Sequence, residues 1–506
     1  MGSPRFAYMP WLVALMGGCG TDKGAAGDSS SSAEETGGES GSGTGDAGGD
    51  SGGDSGGDSG GDSGGDSGGD SGEDSGSDTA APPAEPWAFL AGGMGSQAVQ
   101  GVAVNVDGDV VFGGYFETSL DVGGGAHASR GRDDLFVATS SSEGTHSWDL
   151  AAGASGADAV ADVAVAPDGS IYVTGWFEND VDFGSYTLSA KGDYDGFVMR
   201  LSSAGVVEWV LQLGGRGDDR MRAVAADADG VCVAGFTADG VTGVGVPLSA
   251  GSLLDGMVVC LDVAGNAVWG AALGFASGTA PALAVDIGPD GVVAGGYFTG
   301  EVDLGAGRVA TEGGRDGWVV RWNRLGGDAA GVTLGATGDQ TVNGVAIGEA
   351  GEVHVVGSWA GGELAGAGEP AGPSDAFVAS LGASLSVSGA QLMGGEGEDV
   401  ALDIDFDSGR GLAIVGWSDA DLTLTDAHAN QGEEDAWVGV LDGSEWVASE
   451  SWGGPAEDSA HCVAWHPEGG LVVGGSSFGD IDLGTGTLTG AGDRDAFVTR
   501  RLHPFP

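Results

Sequence analysis

From residue 87 to residue 506 the apolar positions come in short runs of five to eight, rich in Val, Ile, Phe and Trp and divided by Gly, Asp, Ser and Pro. Runs of that length and composition read as strands, and no 3.6-residue period passes through them. Residues 159–213 show the unit clearly. The run 159–166 (AVADVAVA) leads to a Pro167-Asp168-Gly169 turn, a hairpin signal, and 171–177 (IYVTGWF) returns. A long segment, 178–194, precedes a third strand opened by Asp195. A Ser-Ala-Gly turn then leads into a fourth, 206–213.

The unit recurs. Asp, a small or apolar residue, a bulky residue and Val stand at 134–137, 195–198, 255–258, 316–319, 375–378, 435–438 and 495–498, spaced by 61, 60, 61, 59, 60 and 60 residues. A second-strand glycine recurs independently at 114, 175, 235, 296, 357, 416 and 475. Four strands repeated seven times predict an all-β fold, a single seven-bladed β-propeller over 87–506. The last copy stops after its third strand, and an orphan fourth strand, 87–91, precedes the first copy. Pairing the two completes the last blade and closes the ring. A β-solenoid is the structural alternative; the four-strand unit and the split blade argue against it.

Recurrent residues have local work to do. The strand-two glycine allows close approach of a neighbouring strand or ring. The Asp opening strand three accepts N–H groups of the preceding turn. Trp148, Trp209, Trp269 and Trp446 are expected between blades. Asp158, Asp219, Asp399 and Asp458 recur before strand one, which favours turn capping over chemistry.

The unit resembles the bacterial seven-bladed SBBP repeat family. Trp209, Leu213-Gly214-Gly215, Gly217-Asp218-Asp219, Val224, Asp229-Gly230, Val231 to Phe236 and Asp255 to Val258 match its pattern in order. The variant with Val-Asp-Phe-Gly after strand two matches at 181–184, 302–305 and 481–484. Copies four to six depart most: 278–282 lacks the acidic element and 361–368 lacks Asp-x-Gly. The resemblance spans 87–506 and implies the propeller fold, but no particular chemistry.

The N-terminus gives an address. Residues 6–18 are apolar, too short to span a bilayer and suited to a signal peptide, so 1–18 is assigned as one. Leu15-Met16-Gly17-Gly18-Cys19 resembles a bacterial lipobox, which implies lipid attachment at Cys19 and a membrane anchor. An ordinary secretory signal is the alternative. Residues 19–86, with Asp-Ser-Gly-Gly repeats, have almost nothing apolar to bury and read as a disordered acidic linker. The expected location is the bacterial envelope, at the outer membrane or cell surface, or else secreted.

Composition narrows function. With 75 acidic residues against 17 basic and a net charge of -58, nucleic acid is not an expected partner. Cys232, Cys260 and Cys462 stand in strand-like runs without CxxC spacing and read as core residues. Strand one of the sixth copy is unusual: alternation places Asp403, Asp405 and Asp407 on one face. A Ca²⁺ site is one reading, exposure to a wet central channel the other. The seven histidines share no repeat position, and no nucleophile elbow, P-loop or HExxH motif occurs. The expectation is a monomeric, non-enzymatic module binding a protein or glycan through the face carrying the long strand-two-to-three connections. An envelope-assembly scaffold and a polysaccharide-active enzyme are the alternatives.

Overall fold

The computed structural model describes residues 85–502, apart from 242–247, 249–253, 274–277 and 305–306. The expected signal peptide, Cys19 and almost all of the expected linker lie outside the described residues. The described residues contain no helix.

We name the strands of a blade a to d. In blade 2 these are Ala159–Val165, Ile171–Phe177, Asp195–Leu201 and Val207–Leu213, antiparallel and bonded in that order. Blades 1 and 3 to 6 begin with a strands Gln97–Val104, Arg220–Ala226, Ala282–Gly288, Asp339–Ile347 and Asp399–Asp407. Blade 7 begins with Asp458–Trp465, and its d strand is the N-terminal Trp87–Ala91. That strand pairs with Asp495–Arg501, Trp87 opposite Arg500 and Ala91 opposite Ala496. The a strands pack side by side around a central channel, blade 7 against blade 1 included. The protein is a seven-bladed β-propeller with its ring closed as the sequence predicts.

The core lies between blades rather than within them. Each of the seven hydrophobic clusters among the described residues draws side chains from two successive blades. Backbone bonds lock the blades at the face carrying the b–c connections. The N–H groups of Asp158, Asp219, Gln340, Asp399, Asp458 and Gln97 each donate to the residue before strand c of the preceding blade, at 2.8–2.9 Å. In blade 4, whose segment lacks the acidic element, Thr279–Ala280 makes a parallel pairing with Leu254 and Asp255 instead. The irregular copy thus keeps its interlock through backbone groups alone.

Tryptophan locks the opposite face. Trp87, Trp148, Trp209 and Trp269 donate Nε1–H to Ser142, Ser203, Val263 and Arg324, carbonyls in the c–d turn of the next blade. Trp446 does not join them. It stands opposite Leu441, the place that His146 takes opposite Ser140 in blade 1, and packs over Gly439 and against the cluster shared by blades 5 and 6.

The cysteine expectation also needs correction. Cys232 and Cys260 face each other on strands b and c of blade 3 and form a disulfide. Sequence spacing hid a pairing that strand register creates. Cys462 is free and buried.

Five of the b–c connections carry a two-stranded hairpin among their described residues, for example Asp180–Asp182 with Thr187–Ser189. Leu120, Val181, Val302, Leu422 and Ile481 from these hairpins are buried. Gln212 Nε2–H donates to Ser189 O, holding one hairpin against strand d.

Candidate functional site

The recurrent acids cap turns. Asp134, Asp195, Asp316, Asp375, Asp435 and Asp495 each accept the N–H of the residue four positions earlier. Asp158, Asp219, Asp399 and Asp458 do the same for the turn before strand a. Gln340 replaces the acid in blade 5 with its amide oxygen. The motif glycine after strand d makes room for the first set: a Cβ at Gly153, Gly214 or Gly453 would overlap Asp134, Asp195 or Asp435.

Channel geometry comes from a second glycine. Every a strand carries a β-bulge at the same repeat position: Gln100, Ala161, Arg222, Leu283, Asn343, Leu402 and His461. The bulge presses the a-strand backbone toward strand b. A Cβ at Gly114, Gly175, Gly235, Gly296, Gly357, Gly416 or Gly475 would overlap an a-strand carbonyl oxygen. A bulge re-aims its side chain, and the seven bulge residues line one chamber of the channel, with a volume of about 120 Å³. The strand-two glycine was legible in the sequence; the bulge it accommodates was not.

A second chamber of about 300 Å³ is lined by later a-strand residues, among them Asp162, Asp286, Asp403 and Asp405. These carboxylates bridge neighbouring inner strands. Asp162 accepts Val163 and Val224 N–H, both at 2.8 Å, and Asp286 accepts those of Ile287 and Ile347. Asp403 accepts from Ile404 and Val463, Asp405 from Phe406 and Trp465. Each pair includes an edge N–H of the next blade but one residue type, Asp, supplies every bridge.

Removal from bulk water raises these carboxyls, and the N–H bonds offset only part of the shift. Asp162 rises to about 8, Asp403 to about 7 and Asp286 to about 6; Asp405 moves the same way. Asp407 is set apart. Arg410 pairs with it at 2.6 Å and lowers its pKa. Of the three acids singled out in the sequence, Asp403 and Asp405 therefore line the channel, as the wet-channel reading expects, and Asp407 closes a turn. A cation at Asp403 and Asp405 would compete with the N–H donors they hold. No group of three or more metal-ligating side chains is assembled among the described residues. Asp162 and Asp286 do the same work but were not singled out; an acid inside an apolar strand-one run was the available signal.

Two of the bulge residues also link blades. Asn343 Nδ2–H donates to Ala401 O at 2.9 Å, and His461 Nδ1 lies 2.8 Å from Val99 O. Burial lowers His461 to about 4, so it is neutral, and Nδ1–H is the donor to that carbonyl.

On the b–c face arginines pair with carboxylates: Arg132 with Glu178, Arg220 with Asp218, Arg315 with Asp339 and Arg494 with Glu457. Glu434 is pushed up to about 7 by burial and by Glu457. The same arginines meet aromatic rings, Arg494 lying 4.5 Å from that of Phe478 on blade 7. Arg132 donates to Tyr194 Oη at 3.0 Å, Arg220 lies 3.9 Å above the Tyr194 ring, and Arg315 lies 5.1 Å from that of Tyr297. Comparisons with protein-family models and with curated proteins find no match for this chain.

Proposed function

We propose that the chain is a lipid-anchored envelope or cell-surface propeller of the SBBP type, acting as a monomeric, non-enzymatic binding module for a protein or glycan. The arginine–aromatic arc on the b–c face is the observation that carries this reading. Arginine and tyrosine supply hydrogen bonds and flat apolar area together, and interfaces are enriched in both. The Cys232–Cys260 disulfide supports an oxidising compartment outside the cytoplasm. The lipobox-like run ending at Cys19 supports the anchor.

The test is a cross-linking pull-down of the full chain from its native cells, read by mass spectrometry, together with a glycan-binding array. Both are run on wild type and on Arg132→Ala/Tyr194→Ala. The reading expects one envelope protein or one glycan class to be retained by wild type and lost by the variant. Equal retention by both would remove the b–c face from the account. Release of products from a bound glycan would overturn the non-enzymatic reading.

A further inference from the structure

Arg222 is the bulge residue of blade 3, and it lines the smaller channel chamber. Ten other arginines among the described residues pair with a carboxylate. Arg222 has neither a hydrogen bond nor an ion pair among the described residues. Its guanidinium lies 5.4 Å from the Trp176 ring centroid. Burial and the neighbouring Arg220 lower its pKa to about 10, which leaves it charged at neutral pH. A partly buried cation without a counter-ion is costly, and an anion entering from the channel relieves that cost.

The chamber limits which anion enters. Its volume of about 120 Å³ is several times the ~10–15 Å³ that one water needs, room for a small organic ion. Leu283 and Leu402 contribute apolar wall, while Asp162 and Asp403 border both chambers. A dianion would be repelled by those carboxyls whenever they ionise. A single carboxylate matches one guanidinium in charge and in fork geometry. We propose that this chamber binds a small organic monocarboxylate, with the carboxylate on Arg222 and the apolar body against Leu283 and Leu402. Arg222 shares the Trp176 ring with Arg220 of the b–c face.

Isothermal titration calorimetry of the full chain at pH 7 tests this with sodium butyrate, butyramide and inorganic phosphate. Butyrate is expected to bind wild type at least tenfold more tightly than butyramide or phosphate. Arg222→Gln is expected to weaken butyrate at least tenfold, and Arg308→Ala, on the exposed hairpin of blade 4, to leave it unchanged. Absence of butyrate binding to wild type, or equal affinity for butyrate and butyramide, overturns the proposal without recourse to any variant. Undiminished butyrate affinity in a folded Arg222→Gln chain overturns the role of Arg222. Loss of butyrate binding in the Arg308→Ala chain would assign the binding to surface charge and also overturn the proposal.

Discussion

At the scale of single residues, the repeat is a set of steric and hydrogen-bond requirements. Gly175 is glycine because the bulge at Ala161 brings the Ala159 carbonyl into the space a Cβ would fill. Gly175→Ala should therefore cost about 2 kcal/mol or more, since backbone has to move. Urea unfolding of the variant against wild type measures this. The channel acids make stability depend on pH. Asp162 and Asp403 stand at about 8 and about 7, against an unfolded value of about 3.9. Their folded pKa values are raised, so their contribution is fully present below about pH 4 and is lost as pH rises through about 8. The urea midpoint should be higher at pH 5 than at pH 8. Asp162→Asn, which keeps an acceptor for Val224 N–H, should reduce that difference; an unchanged difference would remove Asp162 from the explanation.

At the scale of strands and hairpins, legibility followed periodicity. Strands were readable because alternation and turn residues are local, and the Asp that opens strand c was readable as a cap because its partner lies four residues away. Pairings fixed by register or by the neighbouring blade were not. Cys232 and Cys260 are 28 residues apart and become opposite only when strands b and c align. Trp446 looked like the other tryptophans, yet its register opposite Leu441 gives it the place of His146 and lays its ring over Gly439 rather than on the next c–d turn. The b–c connections read as long loops because their buried anchors, such as Val181 and Leu422, are single residues amid polar sequence. The disulfide gives this scale its prediction. Reduction, or Cys232→Ser/Cys260→Ser, should lower stability by up to about 3 kcal/mol, and thiol titration of unreduced protein should leave that pair unlabelled. Equal stability in oxidised and reduced chains would assign the bond no role in folding.

At the scale of the molecule, each hydrophobic cluster belongs to two blades, so no blade buries its own core. Closure then matters to the whole ring. The segment 87–91 completes blade 7, and Trp87 reaches Ser142 in blade 1. A chain starting at residue 92 leaves strand Asp495–Arg501 as an unpaired edge. It should melt at a lower temperature and associate in sedimentation, whereas a chain starting at residue 85 should stay monomeric. The central claim is a division of labour: recurring residues build the ring, and non-recurring residues of the b–c face bind. Thermal unfolding and cross-linked partner yield, measured together in two variants, test it most directly. Arg132→Ala/Tyr194→Ala should melt within about 1 °C of wild type, roughly the shift that 1 kcal/mol gives in a ring of this size, and lose the partner. Trp148→Ala/Trp209→Ala should melt several degrees lower and retain the partner below its transition. A large melting loss in the first variant with binding intact, or partner loss in the second without destabilisation, would contradict the account.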